Sequence, residues 1–187
     1  MKTIILLAMA ILFVACNAKK VSETQTSTDS IKAATGTTAR EDKLAEAGFN
    51  IMHSEKFGEI GIDLSPEMVV KALGEAEAKT DVEVSQVDGT NVQTWKYPSK
   101  GLEISFSEDE NKKWTVISYS ITEKSTLKSS RGIGIGSSRE EVLKAYQKDI
   151  AEQSDEGSII AGTVYGGIVF WLGEGKVRSI FVGTMAD

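Results

Sequence analysis

A chain of 187 residues with 41% apolar and 26% charged residues has the composition of an ordinary globular protein, one domain or two small ones. Its 27 acidic residues outnumber 21 basic ones, and no basic stripe is present, which argues against a general nucleic-acid binder. A single cysteine excludes an internal disulfide, and one histidine without a second thiol argues against a zinc site, so neither metal nor cofactor is expected.

The chain opens Met1-Lys2-Thr3, and Ile4 through Ala15 is an unbroken apolar run of twelve. That run is too short to span a bilayer, which takes roughly 20 residues, but it suits the apolar region of a secretory leader. It closes on Phe13-Val14-Ala15-Cys16, which resembles the lipobox of bacterial lipoproteins. The resemblance implies a signal peptide over 1–15, cleavage after Ala15, and lipidation of Cys16. Several acyl chains on one residue make anchoring stable where one would be marginal. Asn17 offers no inner-membrane retention signal, so the resemblance favours the outer membrane, with the globular part facing the periplasm or the cell surface. Loss of Lys2 with the leader leaves 20 − 27 = −7 on the mature chain.

After Cys16, residues 17–40 hold nine Ser or Thr, no aromatic residue, and only Val21 and Ile31 as large aliphatics. Such a stretch cannot bury enough surface to offset its ordering entropy, so 16–40 is expected to be a disordered tether. A globular domain follows over 41–187. Good helix formers at 41–47 predict a short helix ending near Gly48, after which Phe49 and Ile51 alternate with polar neighbours.

Ser65 with Pro66 marks a helix start, Val69, Val70 and Leu73 supply an apolar face, and Gly74 a stop. Strands are predicted at 82–87, 92–97, 102–106 and 114–121. Period two places Trp95, Tyr97, Leu102, Ile104, Phe106, Ile117, Tyr119 and Ile121 on the helix-covered side, with Trp114 and Val116 on the other. Ser138-Arg139-Glu140-Glu141 is a capping box that opens a second helix, and strands follow at 159–165, 168–172 and 176–182.

These two helix segments are copies of one another. Ile60 to Leu73 and Ile133 to Tyr146 align without a gap at an offset of 73, identical at eight of fourteen positions. The expected fold is α+β, built as two tandem repeats, about 58–123 and 131–185. In each, a short helix packs on one face of an antiparallel meander. A lead-in strand, a helix capped by serine, and a meander with Gly101-Leu102-Glu103-Ile104-Ser105-Phe106 echoed by Gly167-Ile168-Val169-Phe170 resemble the β-lactamase-inhibitor-protein-like superfamily, which includes BamE-type envelope lipoproteins. The resemblance implies the fold and a habit of binding proteins. It departs in lacking disulfides and, against the BamE type, in having two units.

Competing readings of single motifs are weaker. Gly132, Gly134 and Gly136 before a helix suggest a phosphate loop, but the first copy has Glu59, Gly61 and Asp63 there, and no P-loop lysine follows. His53 and Glu55 form no acid and base set with a nucleophile. Glu108-Asp109-Glu110-Asn111 lacks the ligand alternation and the glycine of a calcium loop.

The expected function is therefore that of a non-catalytic protein-binding lipoprotein with an envelope protein as partner. The alternatives are a periplasmic carrier of a small apolar ligand and, less favoured, a hydrolase. Strand parity carried over both repeats leaves Trp114, Val116, Val169, Trp171, Val177 and Phe181 on the sheet face without a helix, and these six are the predicted binding surface.

Overall fold

The computed structural model describes residues 43, 46–163 and 165–185. The expected signal peptide 1–15, the expected lipidation site Cys16 and the expected tether 16–40 lie outside the described residues. The architecture is α+β. Among the described residues three helices, α1 (46–54), α2 (Pro66–Leu73) and α3 (Arg139–Ala145), accompany an antiparallel sheet of eight strands. These are β1 (Ala78–Lys79), β2 (Glu83–Val84), β3 (Asn91–Tyr97), β4 (Leu102–Glu108), β5 (Trp114–Ile121), β6 (Ser158–Thr163), β7 (Gly166–Gly173) and β8 (Lys176–Gly183). They form one sheet in the order β1-β3-β4-β5-β8-β7-β6, with β2 pairing β3 beside β1.

Both predicted helix starts are present, and local chemistry makes them. The Ser65 hydroxyl accepts from the Met68 N–H at 3.4 Å, and the Gly74 N–H closes the helix on the Val70 carbonyl at 2.7 Å. The Ser138 hydroxyl accepts from the Glu141 N–H at 3.2 Å, while the Glu141 carboxylate accepts from the Ser138 N–H at 2.7 Å. Two-turn helices are marginal in isolation. Packing holds them, because Val69 and Val142 are buried completely in the main core. Burial of such a side chain contributes about 1.5–3 kcal/mol.

The lead-in of each helix is stitched to the sheet in the same way. Asp63 N–H donates to the Val116 carbonyl at 3.0 Å, and Val116 N–H to the Leu64 carbonyl at 2.9 Å. In the second half Gly136 N–H donates to the Val177 carbonyl at 2.8 Å, and Val177 N–H to the Ser137 carbonyl at 2.9 Å. Asp63 and Gly136 both take positive φ, 65° and 82°. The turn therefore needs a residue that tolerates the left-handed region, which glycine does freely and aspartate does at modest cost.

Two β-bulges change the predicted faces. Ser105 pairs with Ser118 but Phe106 with Val116, so Ile117 is an extra residue on β5. Trp171 pairs with Ser179 but Leu172 with Val177, so Arg178 is an extra residue on β8. An extra residue reverses side-chain parity on one side of the bulge. Val116, Tyr119 and Ile121 thus point into the main core, as do Val177, Ile180 and Val182, while Ile117 is exposed.

The N-terminal part also differs from expectation. α1 does not end at Gly48 but continues to Ser54, and Phe49 and Ile51 are helical. Gly48 is a point of close approach: a Cβ there would lie 2.1 Å from the Gly166 carbonyl oxygen and 3.0 Å from the Gly162 Cα. The helix presses backbone to backbone on the β6–β7 hairpin, and its Ile51 and Met52 join the main core. The strand predicted at 82–87 shrinks to Glu83–Val84, both exposed.

Candidate protein-binding surface

The structure divides the six predicted surface residues. Val116 and Val177 are fully buried in the main core, on the side that carries the helices, and Trp114 is half-buried against that same core. Their assignment to the opposite face is corrected by the bulges at Ile117 and Arg178. Val169 and Phe181 do occupy the opposite face, where Val169 is buried in a small second cluster with Ala151 and Ile160, and Phe181 packs against it half-buried. Trp171 is 38% exposed.

The registers draw this face as rows across the sheet. One row reads Lys96, Glu103, Ser120, Phe181, Val169 and Ile160. The next, toward the β7–β8 turn, pairs Ser158, Trp171 and Ser179. The β6 edge is partly closed by the segment after α3, since Ala151 N–H donates to the Ile160 carbonyl and Gly162 N–H to the Asp149 carbonyl, at 2.8 and 2.7 Å. A polar half on β3, β4 and β5 therefore adjoins an apolar half on β8, β7 and β6, and neither α2 nor α3, packed with the main core, covers it.

Sequence reasoning missed a buried ionic cluster on the helix side. Glu55, only 3% exposed, accepts from Arg131 Nε at 3.0 Å and from the Ser130 hydroxyl. Arg131 also donates to Asp149 and to the Ala145 carbonyl, both at 2.9 Å, and lies over the Tyr146 ring at 4.5 Å. The phenol oxygens of Tyr119 and Tyr146 are buried close by, and neither has a partner at full hydrogen-bond geometry among the described residues, although Ser129 and Glu55 lie near enough to Tyr146 to act on it. Burial, with the Glu55 charge acting in the same sense, pushes both phenols well above the ordinary tyrosine range. The cluster ties the end of α1 to the turn before α3. Its one sequence cue was an arginine at 131 where the aligned earlier segment has Gly58.

The other motifs resolve simply. The exposed His53 Nδ1 lies 2.7 Å from an Asp63 carboxylate oxygen, and its ring stacks on Phe49. The 108–113 tip is a hairpin turn in which Asp109 accepts from the Asn111 and Lys113 amides at 2.8 and 2.9 Å. Two open clefts of about 380 and 350 Å³ occupy matching places beside the helices. The first is lined by Gly58, Glu59, Met68 and Lys71, the second by Arg131, Gly132, Glu141 and Lys144. Among the described residues no helix is long and apolar enough to cross a membrane.

No family model, curated protein or solved structure matches this chain.

Proposed function

We propose that the protein is a bacterial envelope lipoprotein, acylated on Cys16 and held in the outer membrane, whose duplicated α+β domain binds an envelope protein through the open face of its sheet. The carrying observation is Trp171, a large aromatic side chain 38% exposed on the face that α2 and α3 leave uncovered, beside the apolar Val169 and Phe181. Half-exposed aromatics next to an apolar cluster are the usual anchors of protein interfaces. The anchor rests on the sequence from Ile4 to Cys16.

Duplication is supported by more than the repeated helix segment. Trp95–Ile104 and Tyr97–Leu102 are cross-strand pairs in the first half, and Ile159–Phe170 and Ala161–Ile168 are their counterparts in the second. The third strand of each meander bulges at the same place, Ile117 and Arg178, next to the valine that receives the helix lead-in. At the seam Ser120 pairs with Phe181, its own counterpart, flanked by Tyr119–Val182 and Ile121–Ile180. Such exchange of partners about a central pair is what a two-fold axis between the halves produces. Kinship with the β-lactamase-inhibitor-protein-like superfamily, itself built by duplication, fits this arrangement.

The test combines two readouts in cells. Fatty-acid labelling should mark the native chain and leave Cys16→Ala unlabelled. A photo-crosslinking residue at Trp171 should give a discrete adduct with one envelope protein, absent when the same residue replaces Lys71 on α2. Trp171→Ala should abolish that partner's co-purification while changing stability by no more than about 1 kcal/mol, as for a surface site. Crosslinking of equal intensity from both positions, or unfolding by Trp171→Ala, would refute the surface.

A further inference from the structure

Nine large apolar side chains are exposed among the described residues, and three of them, from three separate segments, lie at one end of the sheet. Phe49 of α1 is 43% exposed, Tyr165 of the β6–β7 turn 62%, and Met185 after β8 39%. Side-chain contacts with the backbone bring the three segments together. A Cβ at Gly166 would lie 3.3 Å from the Phe49 ring, Tyr165 is the preceding residue, and the Thr184 hydroxyl donates to the Tyr165 carbonyl at 3.4 Å. Ile117, 42% exposed, flanks them, since its neighbour Ser118 abuts Gly183. The opposite end of β7 and β8 carries Glu174 and Lys176 in its turn, both exposed, whereas the charged 109–113 tip shares the patch's end but sits across the sheet on β4 and β5.

The chain also leaves the domain at the apolar end. α1 is pinned there by Gly48 on the β6–β7 hairpin, and 46 − 16 = 30 positions separate Glu46 from Cys16. A chain of that length, if flexible, spans about 30 Å on average. Acylation of Cys16 would therefore hold this patch within reach of the bilayer at high effective concentration. Tyrosine suits the bilayer interface, where its ring sits at the headgroup level with the hydroxyl in water, and a phenylalanine and a methionine beside it add apolar area.

Resting on the anchor reading, we propose that Phe49, Tyr165 and Met185 form a docking patch for the lipid surface itself, which stands the sheet upright on the membrane. Trp171 lies five residues along β7 from Gly166, or about 17 Å at the rise of a strand. Docking would thus lift the proposed protein-binding face clear of the headgroups, toward a partner beside the membrane.

The experiment uses the full acylated chain in vesicles of phosphatidylethanolamine and phosphatidylglycerol. With the Cys16 thiol acylated, an introduced cysteine is the only free thiol, so Tyr165→Cys, Met185→Cys and Lys100→Cys can each carry one nitroxide. The ratio of oxygen to nickel-chelate accessibility should be several-fold higher at 165 and 185 than at 100. Aqueous values at both 165 and 185 in a chain that is acylated by mass and floats with the vesicles would overturn the docking alone. Spin–spin broadening at 165 would also overturn it, by showing a second copy on the patch. A chain of unacylated mass that fails to float would overturn the anchor and the docking together.

Discussion

Removal of Arg131 should cost the domain about 3 kcal/mol. Glu55 is 3% exposed and owes its place to Arg131 Nε at 3.0 Å and to the Ser130 hydroxyl. Breaking a buried pair by deleting one partner usually costs about 3–5 kcal/mol, because a desolvated charge remains. The guanidinium is one-third exposed, which places the figure at the lower end, although its bonds to Asp149 and the Ala145 carbonyl are lost as well. At about 3 °C per kcal/mol for a domain of this size, Arg131→Ala should lower Tm by about 10 °C. Urea unfolding followed by tryptophan fluorescence gives the free energy directly. The second half of the prediction is the double variant Glu55→Leu with Arg131→Met, in which the deeply buried carboxylate is gone, only the better-solvated Asp149 loses its partner, and the apolar stems keep their packing. It should recover to within about 1 kcal/mol of the native chain. A loss below about 1 kcal/mol in Arg131→Ala, or a double variant no more stable than the single one, would refute the view that a stranded carboxylate sets the cost.

Two further outcomes follow from particular contacts. Gly48→Ala should destabilise the domain by more than about 2 kcal/mol despite alanine's better helix propensity, since its methyl would meet the Gly166 carbonyl oxygen; urea midpoints of the pair decide this, and a stabilised variant would show that α1 does not press on the hairpin. Asp155 accepts from the Ser158 and Gly157 amides and the Ser158 hydroxyl, which hold its carboxyl below the ordinary aspartate value of about 3.9. A depressed folded-state value means that the stabilisation is complete above the unfolded value and lost as pH falls through the folded one. Urea midpoints measured from pH 6 down to pH 3 should therefore fall less steeply at the acid end in Asp155→Asn than in the native chain, and identical slopes would contradict the assignment.

What the sequence revealed depended on how local the physics is. A capped helix start is decided within four residues, so Ser65 with Pro66 and Ser138 with Glu141 were legible from composition and spacing. Strand faces are decided by counting, and one uncounted residue misplaces everything on one side of it. That is why Trp114, Val116 and Val177 were assigned to the open face while Val169, Trp171 and Phe181 were placed on the correct one. The cue was present as matched spacing: Val116, Tyr119 and Ile121 are separated by three and then two, as are Val177, Ile180 and Val182. Gly48 misled in another way, because helix termination and close packing call for the same missing side chain. Only the approach of the β6–β7 hairpin, more than a hundred residues away in sequence, distinguishes them.

The seam between the halves has a consequence for assembly. Only three residue pairs of β5 and β8 join the two meanders within the sheet, and the Phe57–Ser129 bridge with the Glu55–Arg131 pair reinforces the joint from the helix side. Each half therefore presents to the other a surface that the same half of a second molecule would present equally well. If the connection from Thr122 to Ser130 straightened, two chains could trade their second halves and rebuild every seam contact between molecules rather than within one. The high local concentration that the proposed anchor would create on a membrane would favour such an exchange, and shortening that connection would be the direct way to encourage it.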